Sequence, residues 1–265
     1  MLVAVTGARG RIGTILRARL ADRYQIRPVT RAPAVDRGVI AELADADGLA
    51  AAFRGCDAVI HLGGAAATDA PWDRVLADNI AGCRNVFEAA RVSGVRRVVF
   101  ASTNHVVGMH EEDARPELYE LGVPRVIGLG DDVRPDSLYG VSKVFGEAFG
   151  RYHVERHGMI CVCLRIGSVV AAPDPGDGPP GTDVWSVTPP EVRRRLRATW
   201  LSHRDCAGLF AAALEAPVRW AVAYGTSANP RQIWDVAGAR DTIGFVPVDS
   251  APAWLWSSTG SEVAE

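Results

Sequence analysis

A tyrosine and a lysine four positions apart could carry out acid–base chemistry. Tyr139 and Lys143 begin and end the stretch Tyr-Gly-Val-Ser-Lys, and this spacing places both on the same face of a helix. A free tyrosine has a pKa of about 10, so its phenolate forms at neutral pH only beside a positive charge. The spacing therefore predicts Tyr139 as a catalytic acid/base and Lys143 as its activator, although an inert pair on a helix surface has the same spacing.

Hydroxyl, amide and imidazole side chains follow an apolar strand. Residues 98–101 are apolar and lead into Ser102, Thr103, Asn104 and His105. Open α/β sheets bind their ligands at the carboxyl ends of strands. A hydroxyl at this strand end could therefore hydrogen-bond the reacting oxygen of a substrate and hold it against the phenol.

A glycine-rich turn comes directly after the first predicted strand and opens a helix. Its sequence is Thr-Gly-Ala-Arg-Gly-Arg-Ile-Gly. The glycines permit a tight turn, close approach of a pyrophosphate and close packing of helix on strand, while the helix N-terminus supplies N–H groups. This context predicts dinucleotide binding. The residues expected at the dinucleotide are Gly7, Arg9, Gly10, Arg11, Ile12 and Gly13.

The end of the second strand should meet the adenosine ribose. An acidic residue there would accept hydrogen bonds from both ribose hydroxyls of NAD, but the chain has Thr30 and Arg31. Threonine does not repel a 2′-phosphate, and a guanidinium could pair with it. Arg9 adds a second cation nearby. These residues favour NADP over NAD, with a solvated Arg31 in an NAD enzyme as the alternative.

The elements that position these residues alternate between short apolar strands and longer amphipathic segments. The predicted segments are 2–6, 11–22, 25–30, 49–53, 58–62, 72–92, 97–102, 137–157 and 160–166. This alternation predicts an α/β fold of the Rossmann type, a doubly wound parallel sheet with helices on both faces. Residues 1–168 would form the dinucleotide-binding core. Residues 169–265 would form a mobile Pro/Gly loop over 171–188 and a small substrate-binding cap of the same compact unit.

These motifs together resemble the extended short-chain dehydrogenase/reductases, which include the NAD-dependent epimerases and dehydratases. The shared features are the glycine-rich turn, His-Leu-Gly-Gly at 61–64, Asn79, the strand end at Thr103 and the Tyr139 and Lys143 pair. Within that family the sequence is most similar to the uronate dehydrogenases. The closer match lies at 100–105, 134–143, 165–168, 199–203 and 227–229, and the resemblance covers about residues 3–249.

The resemblance implies a role for each matching residue. Tyr139 would be the acid/base, Lys143 its partner and a ligand of the nicotinamide ribose, and Thr103 the hydroxyl that serine supplies elsewhere in the family. The implied substrate contacts are Asn104, His105, Ser168 and Arg195. The remaining cofactor contacts would be Glu42 and Leu43 near adenine, Leu62, Gly63 and Ile166 toward the nicotinamide, and Asn79.

Arg195 would bind the carboxylate of a uronate. A planar guanidinium suits bidentate recognition of that group. The alternative is that residues 193–197 form a solvated helix face, and a change of register would give the role to Arg194 or Arg197.

The sequence also departs from the family pattern. Residues 108–135 and 171–192 are longer than the pattern, and both stretches are expected near the substrate mouth. The acidic ribose anchor is missing. These departures predict that the hydride chemistry is kept while the substrate, the cofactor phosphate preference, or both, differ.

Three function classes fit the motifs. The leading one is an NAD(P)-dependent dehydrogenase acting on a sugar acid or related polar hydroxyl compound. The runner-up is a nucleotide-sugar epimerase or dehydratase, which the short chain after Ile166 disfavours. The third is an NAD(P)-sensing regulator without catalysis, which retention of Tyr139 and Lys143 disfavours.

Composition limits the partners. The 265 residues are 48% hydrophobic with a formal charge of −2, which predicts a globular protein without nucleic-acid or membrane partners. Five cysteines without a C-x-x-C pair suggest reduced thiols. Without a membrane-length apolar run or a signal-peptide pattern, a cytoplasmic location is expected. His153 and His157 share a helix face without an apparent third ligand, so no metal site is expected. The long helices predicted over 72–92 and 137–157 resemble the pair through which this family dimerises, so a homodimer or higher homo-oligomer is expected.

Overall fold

Strands and helices alternate along the chain in a computed structural model, which describes residues 1–32, 38–171 and 190–251. The strands are β1 (Leu2–Thr6), β2 (Gln25–Thr30), β3 (Val39–Ile40), β4 (Ala58–His61), β5 (Arg97–Thr103), β6 (Ile160–Ile166) and β7 (Trp220–Gly225). The α-helices are α1 (Arg11–Arg19), α2 (Ala46–Phe53), α3 (Trp72–Arg74), α4 (Gly82–Val92), α5 (Gly108–Ala114), α6 (Leu138–His157), α7 (Pro190–Thr199), α8 (His203–Glu215) and α9 (Ala237–Ile243). A π-helix, Val75–Ala81, joins α3 to α4, and a 3-10 helix, Asn104–Val107, follows β5. None of these helices is long and apolar enough to cross a membrane.

The strands form one sheet in the order β3-β2-β1-β4-β5-β6-β7. Every pairing within it is parallel. The order runs outward in one direction from β1 and in the other from β4, so a cleft opens at the carboxyl ends where the direction changes. This topology confirms the predicted doubly wound α/β fold.

The central strands are apolar on both sides because helices cover both faces of the sheet. Neighbouring residues of each strand face opposite sides of the sheet. In β4, Ile60 packs beneath α1 and α8, whereas Val59 packs beneath α2 and α4. In β5, Val99 and Val98 are divided between the two sides in the same way. All four side chains are at most 1% exposed. The near-continuous apolar runs in the sequence therefore reflect burial on two faces.

Helix α6 places the predicted Tyr139 and Lys143 pair beside the end of β5. Its first turn is capped by the Ser137 side chain, which accepts a hydrogen bond from the Gly140 N–H. Farther along, a Cβ at Gly146 would lie 2.2 Å from the Phe100 ring. The helix can therefore lie this close to the sheet only because that position has no side chain.

Residues after 169 extend the sheet as well as covering it. Strand β7 pairs with β6 in register from Cys161 with Trp220 to Ile166 with Gly225. The division into a core at 1–168 and a cap at 169–265 stays a prediction. The predicted loop over 171–188 lies almost entirely outside the described residues.

The longer segment 108–135 packs against the C-terminal part of the chain. It contains α5 and a short 3-10 helix, Glu117–Tyr119. Leu118, Tyr119 and Ile127 are buried in one cluster with Trp234. The Arg231 guanidinium also donates to the carbonyl of Leu118 at 2.8 Å. This segment is thus fixed against the C-terminal part of the chain, and Glu111 joins it to Arg195 at the cleft.

Candidate active site

A cavity of about 1300 Å³ opens at the carboxyl ends of the central strands. Nearly all of the residues singled out in the sequence line it. They are Gly7, Arg9, Gly10, Arg11, Ile12, Gly13, Arg31, Glu42, Leu43, Leu62, Gly63, Thr103, Asn104, His105, Tyr139, Lys143, Ile166, Ser168 and Arg195. Residues from both halves of the sequence therefore meet in one cleft.

Asn79 is the predicted cofactor residue that does not line the cavity. Its side chain binds the backbone N–H of Ala65 at 2.7 Å and the carbonyl of the same residue at 2.9 Å. Its Nδ2 also donates to Ser142 Oγ at 2.9 Å. Asn79 thus ties the loop after β4 to helix α6, and it contributes to the cavity by holding its wall.

The glycine-rich turn packs so closely against its neighbours that two of its glycines could not carry a side chain. Gly7 has φ of 67°, and a Cβ there would lie 2.8 Å from the backbone N of Gly63. A Cβ at Gly13 would lie 2.6 Å from Cα of Ala8. Gly10, which caps α1, has no side chain to bond the first N–H groups of the helix. This cradle fits a dinucleotide pyrophosphate, since backbone N–H groups and the positive helix end face the same space.

The turn is braced from behind by a buried histidine. Thr6 Oγ1 lies 2.8 Å from His61 Nδ1 and accepts a hydrogen bond from the Gly63 N–H at 3.2 Å. Burial, and then the charge of Lys143, lowers the pKa of His61 to about 3. His61 is therefore neutral at physiological pH and serves the structure of the cleft.

At the adenosine end, the chain offers both cations and a carboxylate. Arg9, Arg31 and Glu42 line this part of the cavity, and all three are exposed. Thr30 Oγ1 donates to the carbonyl of Ala32 at 2.8 Å. The Leu43 side chain packs against Gly63, whose missing Cβ would lie 3.2 Å from it.

The predicted catalytic side chains converge at the other end of the cavity. A hydrogen bond joins Thr103 to Tyr139. Lys143 Nζ lies 5.6 Å from the centroid of the Tyr139 ring and donates to the Ala101 carbonyl at 2.7 Å. The arrangement can pass a proton between a bound hydroxyl and the phenol, with an ammonium nearby.

Burial shifts the pKa values of both Tyr139 and Lys143. It raises the pKa of Tyr139 despite the hydrogen bond from Thr103, which acts in the opposite direction. It lowers the pKa of Lys143 to about 8. In the chain alone, Tyr139 is therefore a protonated phenol at neutral pH, and the role of Lys143 as its activator stays a prediction.

Ser102, the neighbour of Thr103, points into a buried polar network that the sequence did not reveal. Its Oγ donates to Glu147 Oε1 at 2.6 Å. The Glu147 carboxylate also binds the Arg165 guanidinium through two contacts of 3.0 and 2.9 Å. Arg165 in turn donates to the Tyr224 hydroxyl at 2.8 Å. The network joins α6 to the ends of β5, β6 and β7.

The predicted sugar-binding side chains lie together and are already hydrogen-bonded. Asn104 Nδ2 donates to the last carbonyl of β6 at 2.8 Å. Ser168 Oγ lies 2.8 Å from Thr199 Oγ1. His105 Nδ1 lies 2.7 Å from Asp136 Oδ2. Burial alone would raise the pKa of Asp136, but the contact with His105, the hydrogen bond from Ser137 and the charge of Arg195 together lower it.

Arg195 reaches the cavity from helix α7. Its guanidinium forms an ion pair with Glu111 of α5, with Nε 2.5 Å from Oε1. The Tyr119 hydroxyl also donates to Oε1 of Glu111 at 2.5 Å. Glu111 was not predicted as a site residue, because nothing in the sequence connects it to an arginine 84 positions away.

A second polar cluster lies on the outer side of α4 and α6. The sequence suggested no third ligand beside His153 and His157, but the structure brings Glu88 Oε1 to 3.0 Å from His153 Nε2. One ligand atom from each of the three lies within 4.8 Å of the others. Glu88 Oε2 is also bound to Arg91 at 2.8 Å, so this carboxylate already has a cationic partner.

Comparison with known proteins identifies the family. Residues 3–187 match the NAD dependent epimerase/dehydratase family. The chain belongs to this family. The resemblance to extended short-chain dehydrogenase/reductases is thereby confirmed.

Relatives in the epimerase/dehydratase family align with nearly the whole chain. The NAD-dependent glucose-6-phosphate dehydrogenase of Haloferax volcanii is 35% identical and covers 94% of this chain, with 94% of its own length aligned. The L-arabinose 1-dehydrogenase (NAD(P)(+)) of the same organism is 38% identical, with 94% and 97% of the two chains aligned. Uronate dehydrogenase from Agrobacterium tumefaciens, solved as a mutant complexed with NAD, has a TM-score of 0.76 and 33% identity, covering 96% of this chain and 86% of its own.

Proposed function

We propose that the chain is an NAD(P)-dependent dehydrogenase that moves hydride between a nicotinamide cofactor and the hydroxyl of a sugar or sugar acid. The observation that carries this proposal is the meeting of Thr103, Tyr139 and Lys143 at one end of a cleft whose other end is a dinucleotide cradle. The dehydrogenase activities of the two Haloferax volcanii relatives support the same type of reaction.

Within this reaction each side chain has a distinct task. A bound nicotinamide supplies the acceptor for the hydride. Oη of Tyr139 takes the proton of the substrate hydroxyl during oxidation and returns it during reduction. The Thr103 hydroxyl bonds the same substrate oxygen and holds it against the phenol. Because burial raises the pKa of Tyr139, proton removal needs a positive charge, and the Lys143 ammonium supplies one.

The residues that would hold the cofactor follow its length along the cavity. Gly7, Gly10 and Gly13, with the N-terminus of α1, would hold the pyrophosphate. Leu62 and Ile166 would pack against the nicotinamide. Glu42 and Leu43 would meet the adenosine, and Arg11 is anchored at the cleft by its bond to the Val169 carbonyl at 2.8 Å.

NADP is the proposed preference of the two cofactors. Arg31 and Arg9 line the adenosine end, and a guanidinium pairs well with a 2′-phosphate. Glu42 lies at the same end and is the side chain that would suit the ribose hydroxyls of NAD. Charge reversal at Arg31 tests whether these groups favour NADP over NAD.

The substrate would lie between the phenol and helix α7. Asn104, His105, Ser168 and Arg195 line that part of the cavity. Their amide, imidazole, hydroxyl and guanidinium groups can form hydrogen bonds with the several hydroxyl groups of a sugar ring. A compact polar substrate therefore suits the cleft.

A second copy of the chain is the proposed partner at the outer side of α6. Phe145 stacks on Phe149 at 5.4 Å, and Phe149 stacks on Tyr152 at 5.9 Å between ring centroids. Tyr152 is 49% exposed. An aromatic row at the surface is a feature of protein interfaces.

The experiment that tests the function is a measurement of reduced nicotinamide absorbance. Purified protein is mixed with NAD or NADP and with glucose, galactose, glucuronate or galacturonate. Formation of reduced cofactor with any of these sugars supports the proposal. Cofactor binding without reduction across the panel contradicts it.

A further inference from the structure

The carboxylate that meets Arg195 in the cleft comes from the protein itself. Glu111 contacts the guanidinium through both oxygens, Oε1 to Nε at 2.5 Å and Oε2 to Nη2 at 3.2 Å. The Glu111 side chain is only 7% exposed. This side-on, two-point contact is the arrangement through which an arginine recognises a substrate carboxylate.

Other N–H groups of the Arg195 guanidinium also donate hydrogen bonds within the protein. Nη2 donates to Asn104 Oδ1 at 3.1 Å and Nη1 donates to Ser168 Oγ at 3.2 Å. A guanidinium has five N–H donors, and these contacts together with Glu111 use four of them. A uronate carboxylate would have to displace existing partners to obtain a bidentate contact.

Glu111 is held firmly in this position. The Tyr119 hydroxyl donates to its Oε1 at 2.5 Å, and Tyr119 is 4% exposed within the cluster that includes Leu118 and Ile127. Burial, and then the charge of Glu111, raises the pKa of Tyr119, so its hydroxyl stays a donor. The carboxylate is therefore held behind Arg195 by the buried cluster of segment 108–135.

Charge balance points the same way. The guanidinium of Arg195 is neutralised by Glu111, and Asp136 already lies beside His105 at 2.7 Å. A uronate would bring a further negative charge next to two carboxylates in a partly buried site. Like charges in such surroundings disfavour binding strongly.

We infer that Glu111 takes the place of a substrate carboxylate on Arg195, so that the site selects uncharged aldoses and excludes uronates. Glu111 is then the residue that determines specificity, and Tyr119 positions it. The inference rests on the proposed dehydrogenase function and deepens it. The bonds of Asn104 and Ser168 to Arg195 fix those two side chains at the sugar.

Matched pairs of sugars provide the test. Glucose and glucuronate differ at C6 alone, as do galactose and galacturonate, so the ratio of their kcat/KM values isolates the effect of the carboxylate. We expect the wild-type protein to favour each neutral sugar by about a hundredfold or more, the size of effect given by an unpaired charge in a buried site. Equal or better turnover of the uronates would overturn the inference.

Glu111→Gln should largely remove this preference. It keeps the shape of the side chain and frees the charge of Arg195, so kcat/KM for the uronates should rise about a hundredfold relative to the neutral sugars, mainly through a lower KM. Glu112→Gln is the control, because Glu112 is exposed and pairs with Arg115. An unchanged ratio in folded Glu111→Gln protein would also overturn the inference.

Tyr119→Phe is a second variant that tests the same inference if the Glu111→Gln protein does not fold. It removes only the hydroxyl that bonds Glu111, so the uronate preference should rise by about fivefold, as expected for one lost hydrogen bond. No rise would count against Glu111 as the selector. Absence of hydride transfer with every sugar, despite cofactor binding, would instead refute the dehydrogenase function itself.

Discussion

At the scale of single residues, one hydrogen bond decides which hydroxyl meets the substrate. Ser102 Oγ donates to Glu147 at 2.6 Å, whereas Thr103 bonds Tyr139. Both residues follow the same apolar strand, so the sequence alone could not separate them without the family resemblance. We therefore propose Thr103 as the catalytic hydroxyl, whereas Ser102 supports the end of β5 through Glu147.

Tyr139→Phe should abolish turnover and leave cofactor binding near normal. The substitution removes the group that exchanges the proton, but the ring still fills its place. The expected fall in kcat is at least about a hundredfold, the usual contribution of a positioned acid/base. Cofactor titration by fluorescence gives the second readout, and loss of cofactor binding would contradict the assigned role.

A matched pair of substitutions tests Thr103. Thr103→Ala should lower kcat by about tenfold or more, because the substrate oxygen loses its hydrogen bond. Thr103→Ser keeps a hydroxyl and should retain most of the activity. Equal losses in both variants, measured as kcat under saturating cofactor, would argue for a packing role.

Arg31→Asp should move cofactor preference from NADP toward NAD. The change removes a cation that suits the 2′-phosphate and adds a carboxylate that repels it while accepting from the ribose hydroxyls of NAD. We expect the NADP to NAD ratio of kcat/KM to fall by at least about tenfold. Arg54→Asp, an exposed charge reversal outside the cavity, is the control, and an unchanged ratio in Arg31→Asp would remove Arg31 from the phosphate site.

At the scale of elements, the buried pair of Glu147 and Arg165 ties α6 to the sheet. The two side chains are 10% and 5% exposed. Glu147→Gln leaves a buried guanidinium without its counter-charge, which should cost about 3 kcal/mol of unfolding free energy. Glu155→Gln on the exposed side of the same helix should change it by less than about 0.5 kcal/mol. Denaturant unfolding of both variants measures these free energies. An equally small decrease in unfolding free energy in both variants would refute the structural role of Glu147.

Elements with strong local signals were predictable, and those defined by distant contacts were not. The predicted bounds of β1, β2 and β6 agree with the structure. Strands β1 and β6 are short runs of mainly apolar residues, which is the strongest local signal for a buried strand. Strand β7 and helices α8 and α9 were not predicted, because alanine-rich segments such as 207–214 lack a distinctive period. Glu111 was missed for a similar reason, since its partner belongs to a distant helix.

At the scale of the whole molecule, the buried His61 makes stability depend on pH. Its folded pKa is about 3 against an ordinary 6.5, so between these values the unfolded chain binds a proton that the folded chain does not. Stability should therefore fall as pH falls below about 6.5, by about 2 kcal/mol at pH 5. Thermal or denaturant unfolding at pH 7.5 and pH 5 measures this. His61→Asn should reduce the dependence, and an unchanged slope in that variant would contradict the assignment.

The proposed homodimer is a second property of the whole molecule that can be tested. Tyr152→Glu would place a charge in the aromatic row on α6, so the proposed homodimer should dissociate. Val246→Glu, a residue 59% exposed elsewhere, is the matched control. Light scattering after gel filtration gives the mass of each variant. A wild-type protein that runs as a monomer would rule out this interface.

The initial rate of nicotinamide reduction with glucose and galactose, measured for the wild-type protein and for Tyr139→Phe in parallel, tests the proposed dehydrogenase activity. We predict steady formation of reduced cofactor by the wild type and none by the variant, with both proteins binding the cofactor. Reduction by the variant at the wild-type rate, or no reduction by a wild-type protein that binds the cofactor and is offered all four sugars, would contradict it.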